Sequence, residues 1–325
     1  MRIQGARALV TGGAGFIGSH LVEGLLARGA KVMVVDNLST GRLENIPPGI
    51  DGFCQTDIQD KKRVSEVFRA FRPQLVFHQA AQISVSCSVR EPLFDAESNI
   101  MGLLSVLELS METGVKKVIF ASSGGTLYGE VAHPAGEDAP LKPKSPYGIA
   151  KLTGERYLDF FHHEFGLPYV SLRYGNVYGP KQDPHGEAGV VAIFISLFLA
   201  NQRPTINGDG RYIRDYVYVS DVVEANIIAA ASKVDCGAFN IGTSMGTDVN
   251  ELYRVIAQSL DSSIDPYYGP PRPGDLRKSL LCIDKASDNL KWQPKISLHE
   301  GLELTTEWFK KARIGVTEVD ATRGK

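Results

Sequence analysis

Apolar and polar positions alternate along the first half of the chain in two rhythms. Short apolar runs at 6–11, 31–36, 50–55, 75–79, 117–122 and 169–174 end on small or polar residues, and the segments 15–28, 61–71, 95–113 and 146–165 between them carry apolar residues at helical spacing. The runs predict strands and the segments helices. Strand and helix alternating in this way predict an α/β fold of Rossmann type, a doubly wound parallel sheet with ligands at the carboxyl ends of its strands. Beyond Gly175 the pattern is mixed and punctuated by Gly208-Asp209-Gly210, Gly269-Pro270-Pro271 and Pro273-Gly274, which predicts a smaller second lobe. The segment 215–242 returns to helix and strand and is expected to rejoin the sheet. The predicted division is therefore interleaved: 1–174 with 215–242 in one domain, 175–214 with 243–325 in a C-terminal substrate-binding lobe. The tail after Lys311 is polar and expected to be dispensable.

Composition narrows the class without changing this picture. The 325 residues suit one large domain or two medium ones at ~150 residues each. Lys and Arg total 35 against 37 Asp and Glu, a net charge of −2 with both signs interspersed, which offers nucleic acid no basic footprint. The longest apolar run, 190–199, falls short of the ~18 residues that span a bilayer, so no membrane partner is expected. The start Met1-Arg2-Ile3-Gln4 lacks an apolar leader, which points to the cytoplasm. Cys54, Cys87, Cys236 and Cys282 are scattered with no CxxC and are expected as reduced core thiols. His162 and His163 are adjacent on a predicted helix and cannot share a face, so no metal site is expected.

Chemistry enters at the first strand-to-helix turn. Gly12, Gly15 and Gly18 keep the spacing of a dinucleotide cradle: the first makes a tight turn, the second admits a pyrophosphate to the backbone, and the third lets helix pack on strand. The helix N-terminus then faces the anion. Asp36 closes the second apolar run ~20 residues on, where a carboxylate holds the ribose 2′-hydroxyl and repels a 2′-phosphate; NAD is favoured over NADP. Later strand ends carry Asp57-Ile58, His78-Gln79-Ala80-Ala81 and Ser122-Ser123-Gly124, each ordinary singly and together the outline of a groove. His78 alone would read as a packed histidine with one hydrogen bond.

Tyr147 and Lys151, four residues apart, leave one face of the helix that begins at Pro146. An ammonium near a phenol favours the phenolate, and a positive nicotinamide ring would push the same way. Opposite charges within ~4 to 6 Å lower an acid's pKa by ~1 to 3 units. Bringing a phenol from ~10 towards neutrality needs ~4 kcal/mol of differential interaction. Tyr147 is thus the candidate general base.

Val10-Thr-Gly-Gly-Ala-Gly-Phe-Ile-Gly18, Asp36-Asn-Leu-Ser-Thr-Gly41, Tyr147-Gly-Ile-Ala-Lys151, Arg173-Tyr-Gly-Asn-Val-Tyr-Gly-Pro180 and Arg214-Asp-Tyr-Val-Tyr-Val219 resemble the extended short-chain dehydrogenase/reductases, the NAD-dependent epimerase/dehydratase family, and among them the UDP-glucose 4-epimerases. The resemblance spans roughly residues 10–308. It implies NAD against Phe16, Ile17, Asp36, Asn37, Leu38, Ser39, Thr40, Gly41, Asp57, Ile58, Ala80, Ala81, Gln82, Asn99, Ser122, Tyr147, Lys151, Tyr174 and Val177. It implies a UDP-sugar against Ser123, Tyr147, Asn176, Gly189, Val190, Ile206, Asn207, Arg214, Arg272, Asp275 and Ser279. Guanidinium forks such as those of Arg214 and Arg272 suit diphosphate oxygens on chemical grounds as well. The implied reaction is net non-redox: Tyr147 takes the 4-hydroxyl proton, hydride passes from C4 to NAD, the keto sugar turns over, and hydride returns to its other face. A homodimer through the helices 95–113 and 146–165 is implied too, with Ile100, Leu103, Leu104, Val106, Leu107, Leu109 and Met111 on the first and Leu152, Leu158, Phe160 and Phe161 on the second as a wide apolar surface.

One departure concerns the catalytic hydroxyl. Relatives place Ser or Thr where this chain has Gly124, so the hydroxyl must come from Ser123 or Thr126, with the loop bulging at Gly124-Gly125. Counting from Gly274-Asp275-Leu276, Ser279 stands where strict UDP-glucose epimerases hold a bulky aromatic beside the sugar 2-substituent, which leaves room for an acetamido group. A nucleotide-sugar 4,6-dehydratase or decarboxylase is the alternative reaction, but dehydratases carry an Asp-Glu pair where this chain has glycines. A non-catalytic NAD-sensing protein would need no Tyr147 and Lys151.

Overall fold

A computed structural model describes residues 2–184, 189–272 and 275–322, with side chains as far as 312. The expected alternation is present: β1 (Arg7–Thr11), α1 (Phe16–Ala27), β2 (Lys31–Asp36), β3 (Gly52–Gln55), α2 (Lys61–Phe71) and β4 (Leu75–His78). Next come α3 (Val85–Arg90), α4 (Pro92–Ala96), a π turn (Glu97–Met101), α5 (Gly102–Thr113), β5 (Lys117–Ser123), α6 (Gly124–Leu127), α7 (Pro146–Phe165) and β6 (Tyr169–Tyr174). The second half holds β7 (Asn176–Tyr178), α8 (Val190–Leu199), β8 (Thr205–Asn207), β9 (Ile213–Tyr218), α9 (Val219–Ala231) and β10 (Ala238–Ile241). It ends with β11 (Gly246–Asp248), α10 (Val249–Ser259), β12 (Tyr267–Gly269), β13 (Lys278–Ser279) and α11 (Leu298–Thr322).

Seven strands pair in parallel in the order β3-β2-β1-β4-β5-β6-β10. Because β1 lies between β2 and β4, the strand order reverses there and opens a crevice at the carboxyl ends, the place where such sheets bind ligands. One face is sealed by Leu21, Val22 and Leu25 of α1 with Val222, Ala225 and Ala229 of α9; the other by Val64 and Phe68 of α2, Val106 and Leu107 of α5, and Leu158 of α7. At ~1.5 to 3 kcal/mol for each large apolar side chain fully buried, these two layers hold the crevice rigid.

Several expectations change. The helix expected at 95–113 is present as α4 and α5 joined without a break by the π turn, where Asn99 exchanges hydrogen bonds with the Gln82 backbone (Oδ1 from N at 3.0 Å, Nδ2 to O at 2.9 Å). The segment 215–242 rejoins the main sheet only from α9 and β10; β9 instead pairs with β7, β11 and β13 in the lobe's own sheet, and β8 pairs with β12. Within 243–325, Ala286, Leu290 and Trp292 pack into the first domain's core, and the Trp292 indole donates to the Asp221 carbonyl at 2.9 Å. Of the thiols, Cys54 is buried but Cys236 is exposed, and Cys87 and Cys282 are half-buried; none is paired. Helix α11 continues past Lys311 to Thr322. The turn expected at Pro273-Gly274 lies outside the described residues. No helix among the described residues is long and apolar enough to cross a membrane, and no group of metal-ligating side chains is present among them.

Candidate active site

The crevice is a cavity of about 780 Å³ whose floor is the glycine turn. Gly12 sits at φ +71°, and a Cβ there would lie 2.6 Å from the Ala80 nitrogen, so β1 and β4 close together only with glycine. A Cβ on Gly18 would lie 2.0 Å from the Gly12 carbonyl. Helix α1 starts at Gly15 without a side-chain cap or an acidic residue in its first turn, so its amides are left for an anion. Asp36 is buried across this turn: Oδ2 accepts from the Ala14 amide at 2.9 Å and Oδ1 from Leu38 at 2.8 Å. The carboxylate thereby fixes both loops that flank it. A pyrophosphate cradle formed by close backbone approach, with a carboxylate beside it, fits the chemistry of NAD.

Gly12, Gly15, Phe16, Ile17, Gly18, Asp36, Asn37, Ser39, Thr40, Asp57, Ile58, Ala80, Ala81, Gln82, Ser122, Tyr147, Lys151 and Tyr174 all line the cavity. Leu38, Gly41, Asn99 and Val177 stand behind that wall: Leu38 and Gly41 against Asp36, Asn99 under Gln82, Val177 between two apolar clusters. Asn37 reaches Asp57 at 2.7 Å. Tyr174 shares a buried cluster with Asn226, whose Nδ2 donates to its hydroxyl at 2.8 Å, and with Gln79. His78 is buried and hydrogen-bonded to Thr11 Oγ1 at 3.0 Å; burial and then the nearby Lys151 charge lower its pKa to about 3, so it is neutral.

Ser145 caps α7, accepting from Gly148 N at 3.1 Å, and Pro146 takes the first helical position, which places Tyr147 in the first turn. Gly154 lets the helix lie against β5: a Cβ there would meet the Phe120 ring at 2.8 Å. Lys151 is buried and donates to the Ala121 carbonyl at 2.8 Å; its Nζ stands 5.0 Å from the Phe120 ring centre and 5.7 Å from that of Tyr147. Burial lowers the ammonium to about 8, opposed by the charges of Asp95 and Glu155. Burial and the Asp95 charge push the Tyr147 phenol well above 10, and a hydrogen bond with Ser123 pulls it back. The lowering of the phenol expected from Lys151 is thus not found: burial and then the Asp95 charge set the direction, and Ser123 opposes them.

The two candidate hydroxyls differ. Ser123 stands near enough to the Tyr147 hydroxyl to draw its phenol down, whereas Thr126 Oγ1 is buried with no hydrogen-bond partner among the described residues. The expected bulge at Gly124-Gly125 is instead the helical turn α6. Gly124 has no room for a side chain: a Cβ would lie 2.6 Å from the Leu281 side chain and 3.1 Å from the Arg173 carbonyl.

Of the sugar-side residues only Tyr147 lines the cavity; Ser123 ends β5 behind it, and the others are spread over the lobe. Asn176 and Val177 lie on β7, Gly189 and Val190 open α8, and Ile206 and Asn207 lie on β8. Arg214 on β9 is opposite Ser279 on β13, where Ser279 is buried. The Arg214 guanidinium is paired with the Asp275 carboxylate; the Arg272 side chain is exposed.

Three groups escaped the sequence reading. Glu155 accepts from Ser122 at 2.6 Å and from both ends of the buried Arg173 fork at 2.9 and 2.7 Å, extending the Tyr147, Lys151 stripe by one more step of four, a spacing the sequence displays. Asp215, buried, accepts from Thr243 N and Oγ1 at 2.7 Å and from Leu281 N at 3.3 Å, which ties the lobe to the strand that covers Gly124. Asp95 is buried beside Tyr147 and Lys151, and no pattern in the sequence marks it.

The chain resembles known proteins over nearly all its length. A UDP-glucose 4-epimerase of Thermotoga maritima, solved with UDP-glucose, is 52% identical, with TM-score 0.92 over 94% of this chain and 99% of that one. A UDP-glucose 4-epimerase of Thermus thermophilus, solved with NAD, is 48% identical, with TM-score 0.89 over 94% of this chain and 99% of that one. A UDP-N-acetylglucosamine 4-epimerase of Methanobrevibacter ruminantium, solved with UDP-N-acetylmuramic acid, is 37% identical, with TM-score 0.90 over 95% of this chain and 99% of that one. The NAD dependent epimerase/dehydratase family model matches residues 8–242, and with the cradle, the tyrosine-lysine helix and the parallel sheet in the places that family requires, the chain belongs to the NAD dependent epimerase/dehydratase family.

Proposed function

We propose that this protein is an NAD-dependent 4-epimerase of UDP-hexoses, interconverting UDP-glucose and UDP-galactose. The observation that carries the reading is the placement of Tyr147, with the Lys151 Nζ 5.7 Å from its ring, on the cavity that starts at the Gly12 cradle. NAD, when bound, supplies a reversible hydride acceptor for sugar C4. Tyr147 Oη takes the proton of the 4-hydroxyl and gives it back. Ser123 orients that phenol and the sugar oxygen, while Lys151 holds a positive charge beside them, anchored through Ala121. Asp36 and the α1 amides hold the adenosine half, and Arg214, Arg272 and the β8 residues take the UDP. The chain has Gly125 and Thr126 after the position of the catalytic hydroxyl, so it offers no Asp-Glu pair for elimination there.

The finer points rest on separate observations. Ser279, small and opposite Arg214, leaves the sugar site open to a 2-acetamido group, so UDP-N-acetylglucosamine and its galacto epimer are substrates as well. A homodimer pairs the α3 to α7 face, but of the residues first expected Leu103, Val106, Leu107, Leu109, Leu158 and Phe161 are consumed by the chain's own core, while Phe160 is outward together with Leu93 (79% exposed), Val89, Met101 and Ile149. A single species of monomer mass in sedimentation at micromolar concentration would reject the dimer. Free thiols suit a cytoplasmic enzyme. The decisive experiment incubates the protein with UDP-galactose and separates the products: the 4-epimer supports the proposal, whereas a 6-deoxy-4-keto sugar or no turnover refutes it.

A further inference from the structure

After β7 ends at Tyr178 the chain turns back onto α1, and three hydrogen bonds fix it there. His20 Nε2 donates to the Pro180 carbonyl at 2.9 Å. Lys181 Nζ donates to Glu23 Oε1 at 2.6 Å and to the Asn45 carbonyl at 3.2 Å. His20 and Glu23 are three residues apart and share one face of α1. Asn45 in turn donates through Nδ2 to the Ala14 carbonyl at 3.0 Å, inside the glycine turn. A closed ring therefore runs from the glycine turn through Asn45, Lys181 and Glu23 and back along α1. Asn45, Lys181, Gln182 and Asp183 line the same cavity as Phe16 and Ile17, which open α1.

The backbone of this stretch is held under tension. Lys181 has φ +65°, the left-handed region that a residue with a Cβ enters at a cost. Such a conformation persists only where the surroundings over-determine it, and strained positions of this kind collect at ligand clamps. One end of the stretch is packed: a Cβ on Gly179 would lie 2.6 Å from the Val219 side chain. The other end is held by the Lys181 bonds. The Lys181 side chain is 15% exposed and that of Glu23 is 45% exposed, and an ion pair this near the surface adds little to folding by itself. Its position across the cavity is what gives it an effect.

We propose that residues 179–183 form a strap across the cofactor cavity, clasped to α1 by the Lys181–Glu23 ion pair, and that opening of this clasp governs how fast NAD leaves. The inference rests on NAD in the cavity and not on which sugar reaction is catalysed. A dinucleotide on the α1 amides has the strap as its neighbour, because the ring closes through the same turn and helix. The clasp opposes opening and the strain at Lys181 favours it, so the strap has two states. The hydrogen bond of His20 and, after it, Lys181 hold the Glu23 carboxyl down to about 2 against the effect of burial, so the carboxylate is charged throughout the neutral range.

The test loads the protein with radiolabelled NAD and follows exchange against excess unlabelled NAD with no sugar present. Lys181→Met removes both of the Nζ bonds and speeds exchange by about tenfold or more; Glu23→Gln, which leaves the Asn45 bond, speeds it by about threefold to fivefold. Lys181→Arg keeps the cation and exchanges near the wild-type rate. Because both residues act through one clasp, the double variant exchanges no faster than Lys181→Met alone. The control is Glu224→Gln, which breaks the pair with Arg28 that ties α1 to α9 outside the cavity lining and leaves exchange unchanged. Unmoved exchange in Lys181→Met, additive effects in the double variant, or equal acceleration by Glu224→Gln overturns the proposal. A lowered melting temperature with unmoved exchange, the mark of a purely structural role, overturns it too. Should Lys181→Met not fold, Lys181→Gln is read in its place with the same expectations. If the wild type fails to epimerise UDP-galactose while these variants release NAD faster, the epimerase reading is wrong and the clasp stands.

Discussion

The proposed cofactor wall and the proposed sugar wall are built differently. The first is backbone: the Gly12 turn touches Ala80, Gly18 touches Gly12, and Asp36 spans two loops with both oxygens engaged, all at the edge of a sheet sealed on both faces. The second lies in the lobe outside the cavity and is made of side chains from β7, α8, β8, β9 and β13, where Arg214 pairs with Asp275. A backbone wall tolerates no added atom, whereas a side-chain wall changes selectivity with each substitution. On the proposed reading, the first governs cofactor binding. The second governs the choice of sugar.

The contrast can be broken at several points. The largest effect lies where the walls meet. Tyr147→Phe should keep bound NAD and fold normally yet lose kcat by ~10² or more, the usual cost of a positioned acid-base group; near-normal turnover would remove the mechanism. On the cofactor wall, Gly18→Ala forces a Cβ to 2.0 Å from a backbone oxygen, so the turn must shift. The bound NAD recovered from the purified variant should fall by about tenfold or more, since small misplacements at such sites carry large losses. Full occupancy would show that the wall yields. On the sugar wall, Ser279→Tyr should suppress kcat/KM for the N-acetylated pair by about tenfold or more while the plain hexoses change by a small factor, because added atoms are rejected by collision. Equal loss on both pairs, or no N-acetyl turnover in the wild type, rules that out.

Two smaller effects sharpen the comparison. NADP should not replace NAD, because its 2′-phosphate would meet the buried Asp36 carboxylate; protein purified with NADP bound would contradict this. The pH dependence follows from Lys151, lowered by burial to about 8. Below that pH the ammonium is charged and assists Tyr147, and above it the charge is lost, so kcat should decline as pH rises through about 8. A kcat still flat well above that pH would mean that Lys151 keeps its proton.

The resemblance of whole motifs, read in the sequence alone, carried the fold and most of the lining of the cavity at the glycine turn. The reason is physical: the turn at Gly12, the cap at Ser145 and the four-residue step from Tyr147 to Lys151 are set by residues a few places apart, and short-range geometry is legible as spacing. Only the tertiary structure decided which hydroxyl stands by Tyr147, because Ser123 and Thr126 lie three residues apart and nothing in their spacing separates them. It also decided which apolar residues face outward, since α5 and α7 spend one stripe on the core, and that a π turn at Asn99 lies within a helix that looks regular in sequence. Asp95 is the extreme case. It stands among alternating polar and apolar residues like any surface carboxylate, and becomes part of the site only because α4 packs it against α7, a long-range event that no local pattern encodes.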